Sequence, residues 1–176
     1  MIYEPAEDSY LIARRIPEFV KSGMKVLDMG CGSGILAETA KKYGGDVLCV
    51  DINSQAIARC KALGFKCIES DLFNKLPKNL SFDLILFNPP YLPKDKNEDD
   101  ESALNTSGSK GGYEIIVRFF DNIRSFLNRG GKVLFIVSSL TPKFGDILKH
   151  KGFGFRLIDE EKLFYEKLFL YEAWKK

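Results

Sequence analysis

Three aspartates and a run of glycines carry most of the chemistry open to this 176-residue chain. The stretch Asp28-Met29-Gly30-Cys31-Gly32-Ser33-Gly34 follows a short apolar run. Gly30, Gly32 and Gly34 let a backbone turn sharply and approach a ligand closely. G-x-G-x-G alone also occurs in ordinary tight turns, and by itself it leaves a nicotinamide cofactor open. The acids narrow the reading. Asp28 stands two residues before the first glycine. Asp51 closes a second apolar run, 17 residues after Gly34, where a carboxylate can accept from two ribose hydroxyls. Asp71, in Ser70-Asp71-Leu72-Phe73, can accept from an adenine amino group with Leu72 against the ring. No lysine follows as G-K-[ST], which excludes a P-loop. A second stretch, Asn88-Pro89-Pro90-Tyr91, ends another apolar run with an amide, a backbone stiffened by two prolines, and an aromatic ring.

The elements that must position these residues follow from periodicity. Lys25–Met29, Asp46–Val50, Phe65–Ile68, Phe82–Phe87 and Lys132–Ser138 are short apolar runs of strand type. Helical patterns separate them. Ile35, Leu36 and Ala40 run to a stop at Gly44-Gly45. Ala56, Ile57, Cys60 and Leu63 share a face, capped by Asn53 or Ser54 and ended by Gly64. Ile115, Ile116, Phe119, Phe120, Ile123 and Leu127 form an apolar stripe ended by Gly130-Gly131. Thr141-Pro142 opens a short helix with His150 in its last turn, where a cation suits the dipole. Asp8–Arg15 and Pro17–Lys21 read as a helix interrupted at Pro17. Alternating strands and helices imply a mostly parallel sheet covered on both faces. Its expected strand order is 3-2-1-4-5-7-6. Phe153–Ile158 and Phe164–Trp174 leave no room for a helix between them. They read as an antiparallel C-terminal hairpin joined by Asp159-Glu160-Glu161-Lys162.

Composition sets the outer limits. The chain is 45% hydrophobic and 28% charged, with net charge +2, as expected of one globular domain over 1–176 with an N-terminal helical motif over 1–23. No apolar run approaches the roughly 18 residues of a membrane span. The acidic start MIYEPAEDSY lacks a signal-peptide core, so a cytoplasmic protein is expected. Cys31, Cys49, Cys60 and Cys67 form no C-x-x-C pair, and His150 is the single histidine, so no metal site is expected. Basic residues are scattered, which argues against nucleic acid as partner. Residues 93–112 are polar and nearly free of apolar side chains, the composition of a mobile loop beside an active site.

"DMGCGSG" resembles motif I of the S-adenosylmethionine-dependent methyltransferases, whose class I fold is the Rossmann-like seven-stranded sheet expected above. In that resemblance Asp28 lies near the methionine end of the cofactor. "NPPY" resembles the [DN]PP[YF] motif of enzymes that methylate a nitrogen conjugated to a planar group. Such a nitrogen is a poor nucleophile because its lone pair is delocalised. The Asn88 side-chain oxygen and the Pro89 main-chain oxygen can hold its two N–H groups, Pro89 and Pro90 fix the backbone, and Tyr91 can stack on the plane. Catalysis would rest on orientation and charge stabilisation.

The most specific stretch is "YEPAEDSYL" over 3–11. With "DMGCGSG", "DIN" at 51–53, "DLF" at 71–73, "LFNPPYLP" at 86–93 and "GGYEIIVRFF" at 111–120, it resembles the HemK2-type release-factor glutamine methyltransferases over essentially the whole chain. The resemblance implies N5-methylation of the glutamine in the GGQ loop of a class I translation termination factor. It matches Ser9, Asp28, Gly30, Asp51, Asp71, Leu72 and Asn88 to that family's site residues. It also implies a small zinc-binding activator protein that adds a strand at the edge near Phe65–Ile68, making a heterodimer with the zinc on the partner. One departure is "ALNTSGSKGG", where the family often has a tryptophan. Two rival readings remain. One is an RNA or DNA amino-methyltransferase acting on adenine N6 or guanine N2; the other is a non-catalytic adaptor that binds S-adenosylmethionine.

Overall fold

The computed structural model describes residues 2, 4–90, 113–141 and 144–176. The expected helix start at Thr141-Pro142, Tyr91 and the 93–112 loop fall wholly or partly outside the described residues. A seven-stranded sheet runs β3-β2-β1-β4-β5-β7-β6, the order expected. Its parallel part is β1 (Lys25–Met29), β2 (Asp46–Asp51), β3 (Lys66–Glu69), β4 (Phe82–Phe87) and β5 (Leu127–Ser138). β7 (Lys167–Lys175) runs antiparallel to both β5 and β6 (Phe153–Lys162). Among the described residues, no helix is long and apolar enough to cross a membrane.

Alternation along the strands sorts the core into two layers. From β1, Val26 packs with Leu11, Ile12, Ala37 and Ile57 on one face; Leu27 and Met29 pack with Phe119, Phe120 and Ile123 on the other. The first face carries α1 (Glu7–Ala13), α2 (Ile16–Phe19), α3 (Ile35–Lys42) and α4 (Ser54–Ala62). The second carries α5 (Glu114–Asn122) and α6 (Phe144–His150). Asn53 caps α4 by accepting from the Gln55 amide at 2.9 Å, and Gly64 leaves it at φ +81°. Pro17 sits in the first turn of α2, where its missing N–H costs nothing. His150 keeps to its helix end, with Nδ1 2.8 Å from the Asp146 carbonyl.

Two boundaries differ from expectation. The apolar stripe through Ile123 and Leu127 does not continue as α-helix to Gly130-Gly131. α5 stops at Asn122, a 3₁₀ turn spans Ile123–Phe126, and β5 begins at Leu127 opposite Phe82. The glycines lie within an irregular part of β5, where the register jumps between Phe82 and Leu84. A Cβ on Gly131 would stand 3.0 Å from the Phe82 carbonyl oxygen, so close strand approach requires glycine there. The second correction concerns Asp159–Lys162, which belong to β6 and not to a turn. Arg14 forms a two-pronged pair with Asp159, both bonds at 3.0 Å, and reaches Glu161 at 2.8 Å. This contact across more than 140 positions of sequence holds the acids in the strand. The turn is displaced to Phe164 and Tyr165.

Candidate functional site

β1, β2 and β4 end at one level. Met29 is in register with Val50 on one side and with Phe87 on the other. The residues that follow, Gly30, Asp51 and Asn88, therefore stand level at the carboxyl end of the sheet, Asp51 as the last residue of β2. Gly30 has φ +73°, and a Cβ there would lie 3.9 Å from the Asn88 carbonyl oxygen. The Gly30 and Cys31 amides both donate to the Val50 carbonyl, at 2.7 and 3.1 Å, which folds the glycine loop over the end of β2. Gly34, at φ +89°, starts α3, and a Cβ there would press on Leu63 at 3.1 Å. On the other side of Asn88, Phe87 stacks on Phe119 of α5 with ring centroids 4.1 Å apart.

The acids are set by backbone amides. Asp51 accepts from Gly32 through Oδ2 at 2.9 Å and from Asn53 through Oδ1 at 2.8 Å, so its carboxylate is oriented before any ligand arrives. Burial pushes its pKa up against those donors. Asp28 is fully buried, and its Oδ2 accepts from the Ala37 amide at 3.1 Å. It thereby caps α3 from a neighbouring strand, the role that Gly34 has no side chain to fill. Burial raises Asp28 to about 8, and the neighbouring Cys60 adds to the shift.

Two buried oxygens have no hydrogen-bond partner among the described residues: Asp28 Oδ1 and Asn88 Oδ1. Buried acceptors left unpaired are costly and rare, and these two come from strand ends that leave the sheet side by side. They fit a bound group bearing N–H or cationic character.

Asp71 and Leu72 follow β3. The Ser70 amide donates to the Asp51 carbonyl at 2.8 Å, which ties this turn to the end of β2. Leu72 has φ +48°, the one left-handed non-glycine backbone among the described residues, and its side chain is buried beside Val50 and Phe73. Such a conformation costs about 1–3 kcal/mol and collects at ligand sites. The Asp71 Oδ2 is paired with Arg118 of α5, a partner that sequence reading missed. Ser9 is buried in α1, where its hydroxyl donates to Asp8 Oδ1 at 3.3 Å; α1 packs on α3, the helix that the glycine loop opens. Pro89 is buried and Pro90 half-buried. Tyr91 lies outside the described residues. The fold also gathers thiols that are far apart in sequence: the sulfurs of Cys31, Cys49 and Cys60 lie within 4.8 Å of one another. They pack with Leu36 and Ile57 as small apolar side chains beneath the glycine loop.

The methyltransferase small domain model matches residues 7–165. A Methanocaldococcus jannaschii chain, named as a candidate protein N5-glutamine methyltransferase, is 37% identical over 99% of this chain and 92% of its own. The chain belongs to the HemK2-type methyltransferases. Human methyltransferase HEMK2 is 31% identical over 86% of this chain and 79% of its own. A chain of the E. cuniculi Mtq2–Trm112 complex, responsible for the methylation of the eRF1 translation termination factor, superposes with TM-score 0.80, 25% identity and 99% coverage of both chains. This HemK2-type chain is thus an S-adenosylmethionine-dependent enzyme of Rossmann-like class I fold.

Two outcomes follow from the acids. Asp51→Ala removes the oriented acceptor, and affinity for S-adenosylmethionine should fall at least about tenfold, from about 1–3 kcal/mol per unpaired buried hydroxyl. Calorimetric titration measures it, and unchanged affinity would place Asp51 outside the site. The second concerns pH. With Asp28 raised to about 8 from an ordinary value of about 3.9, the folded chain holds a proton that the unfolded chain has released. That contribution to stability is full below about pH 4 and is lost as pH rises to about 8. Urea unfolding of the cofactor-free chain should show this decline, and Asp28→Asn should flatten it. A wild-type profile no steeper than that of the variant would contradict a buried, protonated Asp28.

Proposed function

We propose that the chain methylates a protein glutamine on its side-chain nitrogen, at the GGQ loop of a class I release factor. The observation that carries this reading is Asn88 Oδ1, a buried acceptor beside the glycine loop that has no partner among the described residues. When bound, S-adenosylmethionine supplies an electrophilic methyl group on a sulfonium. Asp51 would accept from its ribose, and Leu72 would lie against its adenine ring beside Asp71. Asp28 would serve its cationic methionine end, where a positive charge would favour the carboxylate form.

The chain's own part in the chemistry is orientation. Asn88 Oδ1 and the Pro89 carbonyl accept from the two N–H groups of the target amide. Held there, the nitrogen lone pair points along the line of transfer and is drawn out of conjugation. As positive charge develops on nitrogen, both acceptors stabilise it, and one of the two N–H protons is then lost to solvent to leave the neutral N-methylamide. Tyr91 stacks on the amide plane in this proposal. The same acceptors would hold the exocyclic amino group of adenine or guanine, so geometry alone leaves a nucleobase as the rival. The family relationship favours glutamine.

β3 is the sheet edge opposite the hairpin and, among the described residues, pairs with β2 alone. We infer that a small zinc-binding activator adds a strand there, and that the site works in the cytoplasm, where release factors act. Support comes from the open edge and from the Mtq2–Trm112 likeness.

Asn88→Ala should lower methyl transfer to a release factor by about 10²–10³ while leaving cofactor affinity nearly intact. Wild-type enzyme should label that factor, and neither its Gln→Ala variant nor total RNA. Labelled RNA with an unlabelled factor would overturn the glutamine reading. Cys67→Pro should abolish co-purification with the activator, since proline removes an edge N–H, while cofactor binding reports an intact fold. Equal recovery of the complex would exclude strand addition at β3.

A further inference from the structure

The β6–β7 turn exposes two large aromatics, Phe164 at 91% and Tyr165 at 88% of their full accessible surface. Turn geometry does not ask for them; glycine, asparagine and aspartate are the residues that turns favour. They are not loosely held. The Leu163 amide donates to the Glu166 carbonyl at 2.9 Å, closing the turn. Glu166 accepts from the Ser138 hydroxyl, and the Lys167 amide donates to Ser139 Oγ at 3.0 Å. The two rings meet edge-on with centroids 4.6 Å apart. Leu140, on the adjoining turn after β5, is itself about half exposed at 49%.

Register places this tip. Phe87, the residue before Asn88, is level with Phe135 of β5. Ser138 lies three residues further along and is opposite Leu168 of β7; Tyr165 is three residues beyond Leu168. At about 3.3 Å per residue the tip stands up to about 17 Å past the level of Asn88, and about 10 Å to its side across two strand spacings. It rises at the end of the sheet where the site opens. A methylated side chain does not reach it. The body of a macromolecule that feeds a loop into the site does.

We propose that Phe164 and Tyr165, with Leu140 beside them, form a docking platform for the folded protein whose glutamine loop enters the site; this rests on the glutamine reading above. The neighbouring charges are largely balanced: Asp159 and Glu161 pair with Arg14, Glu160 pairs with Lys167, and Lys162 stands opposite Lys167 at the base of the turn. What the tip offers a partner is therefore its rings and not its charge, a contact that suits a protein surface over a phosphate backbone. The activator is not the occupant, because β3 is at the opposite edge of the sheet. A rigid aromatic pair loses little freedom on binding, the property of interface anchors.

The test compares steady-state methylation of an intact class I release factor by wild-type enzyme and by a Phe164→Ser/Tyr165→Ser double variant. KM for the factor should rise at least about tenfold, with kcat at saturation within about twofold. Affinity for S-adenosylmethionine should be unchanged, which shows that the variant is folded. Tyr165→Phe, which keeps the ring, should retain the wild-type KM. Equal KM in the double variant overturns the platform while leaving the glutamine reading intact. So does a concentration-dependent dimer lost in the double variant with KM unchanged. If wild-type enzyme methylates only RNA, the glutamine reading fails, and the platform with it.

Discussion

The parallel pairing of β1 with both β2 and β4 is the constraint on which the site depends. Met29 stands level with Val50 and Phe87, so three loops leave the sheet at one height. The segments involved are separated by tens of residues, and no local propensity could align them. A shift of one residue would reverse every side chain between the two core layers, placing Leu27 and Met29 where Val26 and Asp28 belong. The aromatic layer under β4 resists such a slip. Phe119 packs on Phe87 and Phe73, and Phe120 on Phe135 and Phe153, so the end of β4 just before Asn88 is held against α5, and α5 in turn against β5 and β6. The register that stabilises the core is therefore also the register that aims the acceptors.

At that height the chain accepts local cost. Asp28 Oδ1 and Asn88 Oδ1 are buried without partners among the described residues, Asp28 is held toward its protonated form, and Leu72 adopts a left-handed backbone. Each opposes folding, and each lies where the proposed function would bring a methyl donor and a target amide together. A site that satisfied all its own acceptors would have none to offer. Surrounding structure sustains the cost: Asp51 and Asp28 are each fixed by amides of the glycine loop or its helix, and Leu72 is anchored by its buried side chain.

The central part of this plan was legible in the sequence because its signals are local. Apolar runs marked β1, β2 and β4, glycines marked the loop, and single acids or an amide stood at the strand ends. What escaped was fixed at a distance. Asp159–Lys162 look like a polar turn until Arg14 and Arg15 reach them from the link between α1 and α2. Gly130-Gly131 look like a helix stop until the Phe82 carbonyl requires a residue without Cβ. Arg118 is one cation among many on an amphipathic helix, and only the packing of α5 reveals its pairing with Asp71. The cysteines lack any metal-type spacing, yet two strand-and-helix crossovers bring three thiols together. Periodicity reads which face is buried; it does not read what the other segment brings to that face.

The two edges of the sheet divide the remaining work. β3 is short and carries Lys66, paired with Asp46, as its only charge within the Phe65–Ile68 run. Its free backbone groups suit strand addition, a contact dominated by main-chain hydrogen bonds. The other edge, β6, is long and charged, with Arg156, Asp159, Glu160 and Glu161 along it, which discourages pairing. Its contribution is made at the hairpin tip through exposed rings, a contact dominated by side chains. An activator at one edge and a substrate body at the other can then be held at once without competing. The glutamine loop would reach the crevice between them, over the strand that ends in Asn88.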